Sequence, residues 1–396
     1  MTLKWIESRG DEKLAAAGSE LFQSEFGYHE SGIYAAPGRV NLIGEHIDYA
    51  AGASIPFALP HSTAVAAAPR DDGRIRAVSE AGMLRDEAAL ADVAPGSPSG
   101  WLGYVAGTVW ALYPECAGFD FAIVSDVPLG SGLSSSAALE CSVVLAAFDL
   151  MEGREPTDSD RHRMVEAAIR AENEVVGAST GGLDQNASVF ARAGEALFID
   201  FYTSQTKRVP FDLEESGNAL VIADTNAPHT LSDGQYASRR GLIDRVMADM
   251  GANGLREGTS PVVAARQWAE TAGEDADLVE RRVRHVVEET HRTIKAADAL
   301  EARDFDIFRD LMRDSHVSLR DDYQVTTPEL DCAFAAAGET GARMTGGGFG
   351  GAVIALVAED EVNTVAQKIA DAAAREHFPE PTFYVGLPGQ GARKVS

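Results

Sequence analysis

The chain has 396 residues, 45% hydrophobic and 24% charged, long enough to bury a sizeable core and balanced like an ordinary globular protein. Its 34 Lys and Arg against 61 Asp and Glu give a net charge of −27, which repels phosphate backbones and anionic lipid surfaces and argues against nucleic acid or a membrane as partner. Three scattered cysteines (Cys116, Cys141, Cys332) without a CxxC pair, and nine histidines without HExxH spacing, exclude a disulfide framework and leave no zinc signature.

The opening MTLKWIESRGDEKLAAAG lacks the apolar core of a signal peptide, and no apolar run reaches the length of a membrane span. The expected address is a reducing cytoplasm. A helix is predicted over 11–26, followed by strand through GIYAAPGRVNLIG, where Val40 and Leu42 alternate with Arg39 and Asn41. SIPFALP and TAVAAAPR read as strand-like, RDDG as a turn, PGSPSG as a loop, and 101–113 as helix. FDFAIVSD is a predicted strand before helices over 134–150 and 158–176; ALFIDF and ALVIADT read as strands. From about 236 to 340 the pattern is mainly helical. It then returns to alternation, with helix 328–339, a glycine turn, strand AVIALVA, helix 360–376 and strand TFYVGLP. Mixed strands and helices without internal repeats predict an α+β or α/β class, with a domain division near residue 205.

Four stretches carry candidate chemistry. PGRVNLIGEHIDY sets Arg39, Asn41, Glu45, His46 and Asp48 among apolar neighbours. VPLGSGLSSSAALE follows a strand and opens a helix, so its glycines and helix N-terminus can bring backbone N–H groups onto a phosphate, while its serines offer an N-cap and hydroxyls. It has no lysine for a Walker A loop, and Ser135 stands at the third glycine of a dinucleotide fingerprint. By itself it reads equally as a capped helix after a glycine turn. On the next helix Glu172 falls on the apolar stripe of Val165, Ala168 and Val176, where a carboxylate wants a donor or a cation; an edge position in water is the plainer alternative. GASTGGLDQNASVF puts Asp184 just after two glycines, a common turn former when taken alone. RMTGGGFGGAVIAL has five glycines in six positions, more than a turn requires, and predicts a segment lining a site. An anion cradle, a metal carboxylate and a carboxylate beside an accepting hydroxyl together suit phosphoryl transfer to an alcohol.

These stretches, in this order, resemble the GHMP kinase family. PLGSGLSSSAA is similar to its phosphate loop, MTGGGFGG to its C-terminal glycine motif, and PGRVNLIGEHIDY to the signature of its galactokinase branch. The resemblance spans nearly the whole chain. It implies a two-domain α+β fold, with an N-terminal domain (1–205) like the second domain of ribosomal protein S5, a ferredoxin-like C-terminal domain (206–396), and the site in the cleft between them. It further implies ATP-dependent phosphorylation of the anomeric hydroxyl of galactose, with Mg²⁺, by a monomer.

By matched position, the resemblance makes Asp184 and Arg39 catalytic. Glu45, His46, Asp48, Gly181, Asp184 and Tyr236 would bind the sugar. Gly130, Ser131, Gly132, Leu133, Ser134, Ser135, Ser136 and Ala137 would wrap the ATP phosphates, and Ser135 or Ser136 with Glu172 would hold the metal. Two departures stand out: Ile47 replaces the usual threonine, for which a modest effect on sugar affinity is expected, and Gly182-Leu183 replaces a commoner Ile-Met pair. The alternatives are a kinase for a related sugar such as N-acetylgalactosamine, or a galactose sensor without catalysis; the intact serine loop, Arg39 and Asp184 argue against the sensor.

Overall fold

The computed structural model describes residues 3–178, 180–227, 232–256 and 260–396. In chain order its strands are β1 (Lys4–Trp5), β2 (Gly32–Asn41), β3 (Ala53–Ser54), β4 (Pro56–Pro69), β5 (Arg74–Ser79), β6 (Leu84–Ala89), β7 (Gly118–Ser125), β8 (Glu195–Asp200), β9 (Gln205–Pro210), β10 (Asn218–Asp224), β11 (Gly341–Thr345), β12 (Ala352–Ala358), β13 (Thr382–Gly386) and β14 (Arg393–Lys394). The helices are α1 (Gly10–Phe26), α2 (Trp101–Leu112), α3 (Ser135–Glu152), α4 (Asp158–Arg170), α5 (Leu183–Phe190), α6 (Ser232–Met250), α7 (Pro261–Ala272), α8 (Ala276–Glu301), α9 (Phe305–Ser318), α10 (Pro328–Ala337) and α11 (Val362–Arg375). Two π turns, Ala171–Val176 and Leu319–Tyr323, continue α4 and α9. The two strand-like runs after residue 54 are one continuous β4, with Pro60 accommodated where the β2–β4 register shifts between the Pro37–Ser62 and Arg39–Ala58 pairs. No helix among the described residues is long and apolar enough to cross a membrane.

Among the described residues the strands form three sheets. The first has the order β14-β2-β4-β7-β5-β6 and is antiparallel except between β5 and β7. The second runs β1-β13-β10-β12-β11, antiparallel except between β1 and β13, and the third is β3-β8-β9. Each end of the chain pairs with the sheet built mostly by the other half, β1 beside β13 and β14 beside β2. Residue 205, the expected division, is the first residue of β9 in the β8–β9 hairpin.

Alternation along β2 explains how it is covered. Tyr34 and Ala36 enter a core shared with α2, α3 and α4, while Ile33 and Ala35 face α1, so all ten residues of the strand are buried. At its far end Val40, followed by Leu42 and Ile43, joins Phe57 and Leu59 against Leu220, Ile222, Ile354 and Leu356 of the second sheet. Each such side chain contributes about 1.5–3 kcal/mol on leaving water. Apolar packing, rather than the polar residues beside it, therefore holds the two lobes together where the signature segment passes between them.

Candidate active site

The polar residues of the signature, the turn before α5 and the glycine loop after β11 meet in one pocket between the lobes. Arg39, Glu45, His46, Asp48, Glu172, Asp184 and Tyr236 all line it, joined by Thr180, Leu183, Gly346 and Gly347. Its volume is about 150 Å³. Asn41 does not line it; its carbonyl accepts from Arg343 Nη1 at 3.1 Å and from Thr345 Oγ1 at 3.0 Å.

Asp184 opens α5 in the helix's first turn, after Gly182 at φ +95°. Its Oδ1 accepts from Arg39 Nε and Nη2, both at 2.7 Å, and its Oδ2 accepts from the Ser134 hydroxyl. Arg39 Nη1 also donates to the Gly132 carbonyl at 2.7 Å, and the Arg39 backbone N–H to the Leu133 carbonyl at 3.1 Å. One arginine thus ties the turn aspartate to the Gly/Ser loop. The loop's serines were expected to cap α3. Ser134 does stand at the N-cap, with φ +61°, but its hydroxyl is spent on Asp184 and not on a helix N–H.

The rest of that loop divides by direction. Leu133 and Ala137 send their side chains into the core, and Ser131 bonds the Pro128 carbonyl at 3.1 Å. Ser135 begins α3, and the Ser136 hydroxyl bonds Glu172. Gly130 and Gly132 adopt positive φ, +72° and +75°. The later glycine loop lies directly on this one: a Cβ on Gly346 would meet the Gly132 carbonyl at 2.8 Å, and one on Gly351 the Ser131 carbonyl at 3.0 Å. Backbone-to-backbone contact between the lobes is therefore one reason for the glycine run, and lining the pocket through Gly346 and Gly347 is the other.

Glu172 owes its place to the π turn, an insertion that changes the phase of α4 just before the pocket and recurs in proteins at functional positions. Burial first, then the charge of Asp184, pushes its carboxyl up to about 7. Asp48, half-buried, is pushed up to about 6 by desolvation and again by Asp184. Glu45 is also raised by burial, against which Arg343 and Arg39 act; Gly346 N–H donates to its Oε1 at 2.7 Å.

His46 was expected among the sugar contacts, and it does line the pocket, but both ring nitrogens are bonded to protein. Nε2 lies 3.0 Å from the Gly347 carbonyl, which can only accept, so Nε2 carries the hydrogen and Nδ1 accepts from Tyr49 at 3.2 Å. Tyr49 in turn accepts from Tyr323 at 2.7 Å. Burial lowers the imidazole to about 3, so it is neutral, and it meets the pocket with carbon. Tyr236 packs beside it at 5.1 Å between ring centroids. Tyr49, Tyr323, Arg343 and Gln185 were not singled out in the sequence. Tyr323 arrives on the second π turn, and no local pattern marks a residue whose partner is 274 positions away.

The departures from the family pattern have local causes. Ile47 is fully buried in the apolar core of the second lobe with Ala50 and Val325, facing away from the pocket. Ile47→Thr is therefore expected to lower stability by about 1–3 kcal/mol, through an unpaired hydroxyl and lost packing, while the sugar KM stays within about twofold. Chemical denaturation and steady-state kinetics check this, and a large change in KM would contradict it. At Gly182 a Cβ would fall 2.5 Å from Ile169 Cδ1, so a branched residue there conflicts with Ile169 as it stands.

Three family models match in chain order: a galactokinase galactose-binding signature over residues 20–69, the GHMP kinase N-terminal domain over 103–192, and the GHMP kinase C-terminal domain over 296–375. The galactokinase of Streptomyces coelicolor is 40% identical over 392 residues, covering 97% of this chain and 99% of that one. The chain belongs to the galactokinase family. The galactokinase of Mycobacterium tuberculosis is 42% identical over 91% of this chain and 98% of its own. The crystal structure of Lactococcus lactis galactokinase, solved with galactose, superposes with a TM-score of 0.87 at 32% identity, covering 96% and 99% of the two chains. As a galactokinase the protein is a sugar kinase with the GHMP fold, a phosphotransferase that takes ATP. The expected α+β class and site between two lobes agree with that family.

Proposed function

We propose that the protein transfers the γ-phosphoryl group of ATP to the anomeric hydroxyl of α-D-galactose, giving galactose 1-phosphate and ADP. The observation that carries this reading is the convergence on Asp184: Arg39 and Ser134 bind it from the phosphate loop's side, and it shares one pocket with Asp48, Glu45 and Tyr236. Glu45, Asp48 and Tyr236 are the polar groups offered to the sugar, with His46 as a wall and Gly181 behind Asp48. Buried acceptors left unpaired by a misplaced hydroxyl penalise the wrong sugar. Asp184 accepts the C1 hydroxyl proton as the oxygen attacks phosphorus. A sugar hydroxyl is a far weaker acid than a carboxylic acid, so the proton moves late in the step. Arg39 faces the transferred phosphoryl and offsets its charge. Backbone N–H groups of Gly130 to Ala137, at the start of α3, cradle the phosphates.

Mg²⁺ takes one or two carboxylates, waters and substrate phosphates instead of an all-protein cage. Among the described residues no three His, Cys, Asp or Glu side chains cluster to hold a metal, whereas Glu172 and Ser136 touch at the pocket edge. That donor pair fits. Glu172 with Ser136, or Ser135 beside it, would hold the ion, which when bound neutralises phosphate charge. The same reading makes the protein a cytoplasmic monomer acting on galactose and ATP.

A coupled ADP-release assay over sugars differing at C2, C4 and C6, with and without Mg²⁺, tests the function. Galactose is expected to be preferred over its C4 epimer by about 10²-fold or more in kcat/KM. Faster turnover of N-acetylgalactosamine, or sugar-induced stabilisation without ADP release, would overturn it. The pH profile follows from Asp48, whose free-enzyme carboxyl stands at about 6. At saturating Mg²⁺, kcat/KM for galactose is expected to fall about tenfold per pH unit below that value, as the acceptor becomes a neutral acid. A profile flat to pH 5 would remove Asp48 from sugar binding.

A further inference from the structure

Behind the Glu172 side of the pocket lies a buried set that the mechanism leaves unused. Gln185, next to Asp184, is fully buried, as is Glu140 on α3, and Glu172 is 9% exposed. Gln185 Nε2 donates to Glu172 Oε2 at 2.6 Å and to Glu140 Oε2 at 3.1 Å. Both hydrogens of the amide are thus used on carboxyl groups, while its Oε1 faces the Thr180 hydroxyl at 3.5 Å. In this orientation each amide hydrogen of Gln185 has a carboxyl oxygen to donate to. Glu140 Oε1 has no partner, and burial followed by the charge of Glu172 pushes the Glu140 carboxyl well above the ordinary range. Its Oε2 accepts from Gln185, and this is the bond it contributes to the set.

An apolar trio of the same volume would stabilise this core at least as well, since buried polar groups of this kind contribute little to stability on balance. What the trio does supply is orientation: Glu172 Oε2 is fixed inward, which sets the plane of its carboxylate and the lone pairs it turns to the pocket. Partners behind a ligating carboxylate commonly tune the metal site by about 10–100-fold in affinity. The geometry points to Gln185, backed by Glu140, as the positioning pair that presents Glu172 to the divalent cation. This rests on Glu172 being the metal carboxylate.

The test uses the full chain with Mn²⁺ as probe, its binding read by electron paramagnetic resonance in the presence of a non-hydrolysable ATP analogue, and galactose affinity read by calorimetry without metal or nucleotide. Gln185→Leu is expected to weaken Mn²⁺ binding about 10–100-fold while galactose affinity stays within about threefold, a split that a general packing defect does not produce. Glu172→Gln should weaken Mn²⁺ at least as much. If Glu172→Gln leaves Mn²⁺ binding intact, the metal assignment fails and the inference with it. If Glu172→Gln weakens it and Gln185→Leu does not, the positioning role alone is overturned. Should Gln185→Leu fail to fold, Glu140 decides. Glu140→Gln still offers Gln185 a carbonyl oxygen and should keep Mn²⁺ affinity within about threefold, whereas Glu140→Leu should lose about tenfold. Equal Mn²⁺ affinity in these two variants overturns the proposal.

Discussion

Asp184→Asn is expected to lower kcat by about 10²–10⁴-fold while leaving the KM values for galactose and ATP within a few-fold. The substitution keeps shape and one acceptor oxygen, so Arg39 retains a partner at Oδ1 and its bond to the Gly132 carbonyl, and the phosphate loop keeps its register against the pocket. What is lost is the capacity to take a proton. Removing a negative charge from beside the incoming phosphates works in favour of nucleotide binding, so a fall in rate cannot be attributed to poorer ATP affinity. Asp184→Ala differs: it strands a buried guanidinium and should lose stability as well as turnover. Steady-state kinetics, with binding of both substrates measured separately by calorimetry, distinguishes the two. Near-normal turnover of Asp184→Asn would remove the residue from proton transfer and return its pairing with Arg39 to a structural role.

The sequence made the contiguous parts of this site legible and left the long-range parts hidden. Phosphate loop, signature and glycine run each write their backbone demands in a dozen consecutive residues, and the elements around them follow from period and turn residues. In the β5–β6 hairpin only β5 alternates, with Ile75 and Ala77 buried between Arg74 and Arg76, over too few residues to stand out; β6 is the sheet edge, and its Arg85, Asp86 and Glu87 are exposed, so it shows no apolar alternation. Glu172 was visible as a carboxylate on an apolar stripe, but the π turn that aims it has no compositional mark. The partners that set the pocket's electrostatics were out of reach for a different reason. Arg343, fully buried, stands 3.8 Å from Glu45, and Glu289 accepts from the Gly44 N–H at 3.0 Å, across separations of 298 and 245 residues that no local pattern encodes. His46 shows the same limit. A histidine in a polar signature reads as a donor to ligand until Gly347 and Tyr49 are seen to occupy both of its nitrogens.

Gly181→Ala is expected to raise the KM for galactose by about two orders of magnitude with little change in the KM for ATP. Gly181 is not among the glycines with positive φ, so alanine suits its backbone and the effect is purely steric. A methyl on Gly181 would overlap Asp48 Oδ2, lie 2.5 Å from Asp48 Cγ and 3.0 Å from the Tyr49 backbone nitrogen. The carboxylate must swing out of the position from which, on the proposed reading, it accepts sugar hydroxyls. Hydrogen bonds to a charged group are worth about 1.5–3 kcal/mol each, so losing one or two accounts for a change of that size. The mechanism is separable from a general disturbance of the turn before Asp184 by a double-mutant cycle with Asp48→Ala. Once the carboxylate is gone the new methyl has only the Tyr49 backbone nitrogen at 3.0 Å to meet, so Gly181→Ala in that background should change galactose affinity by no more than a few-fold. Additive losses in the cycle would mean that Gly181 shapes the pocket through the turn itself and not through Asp48.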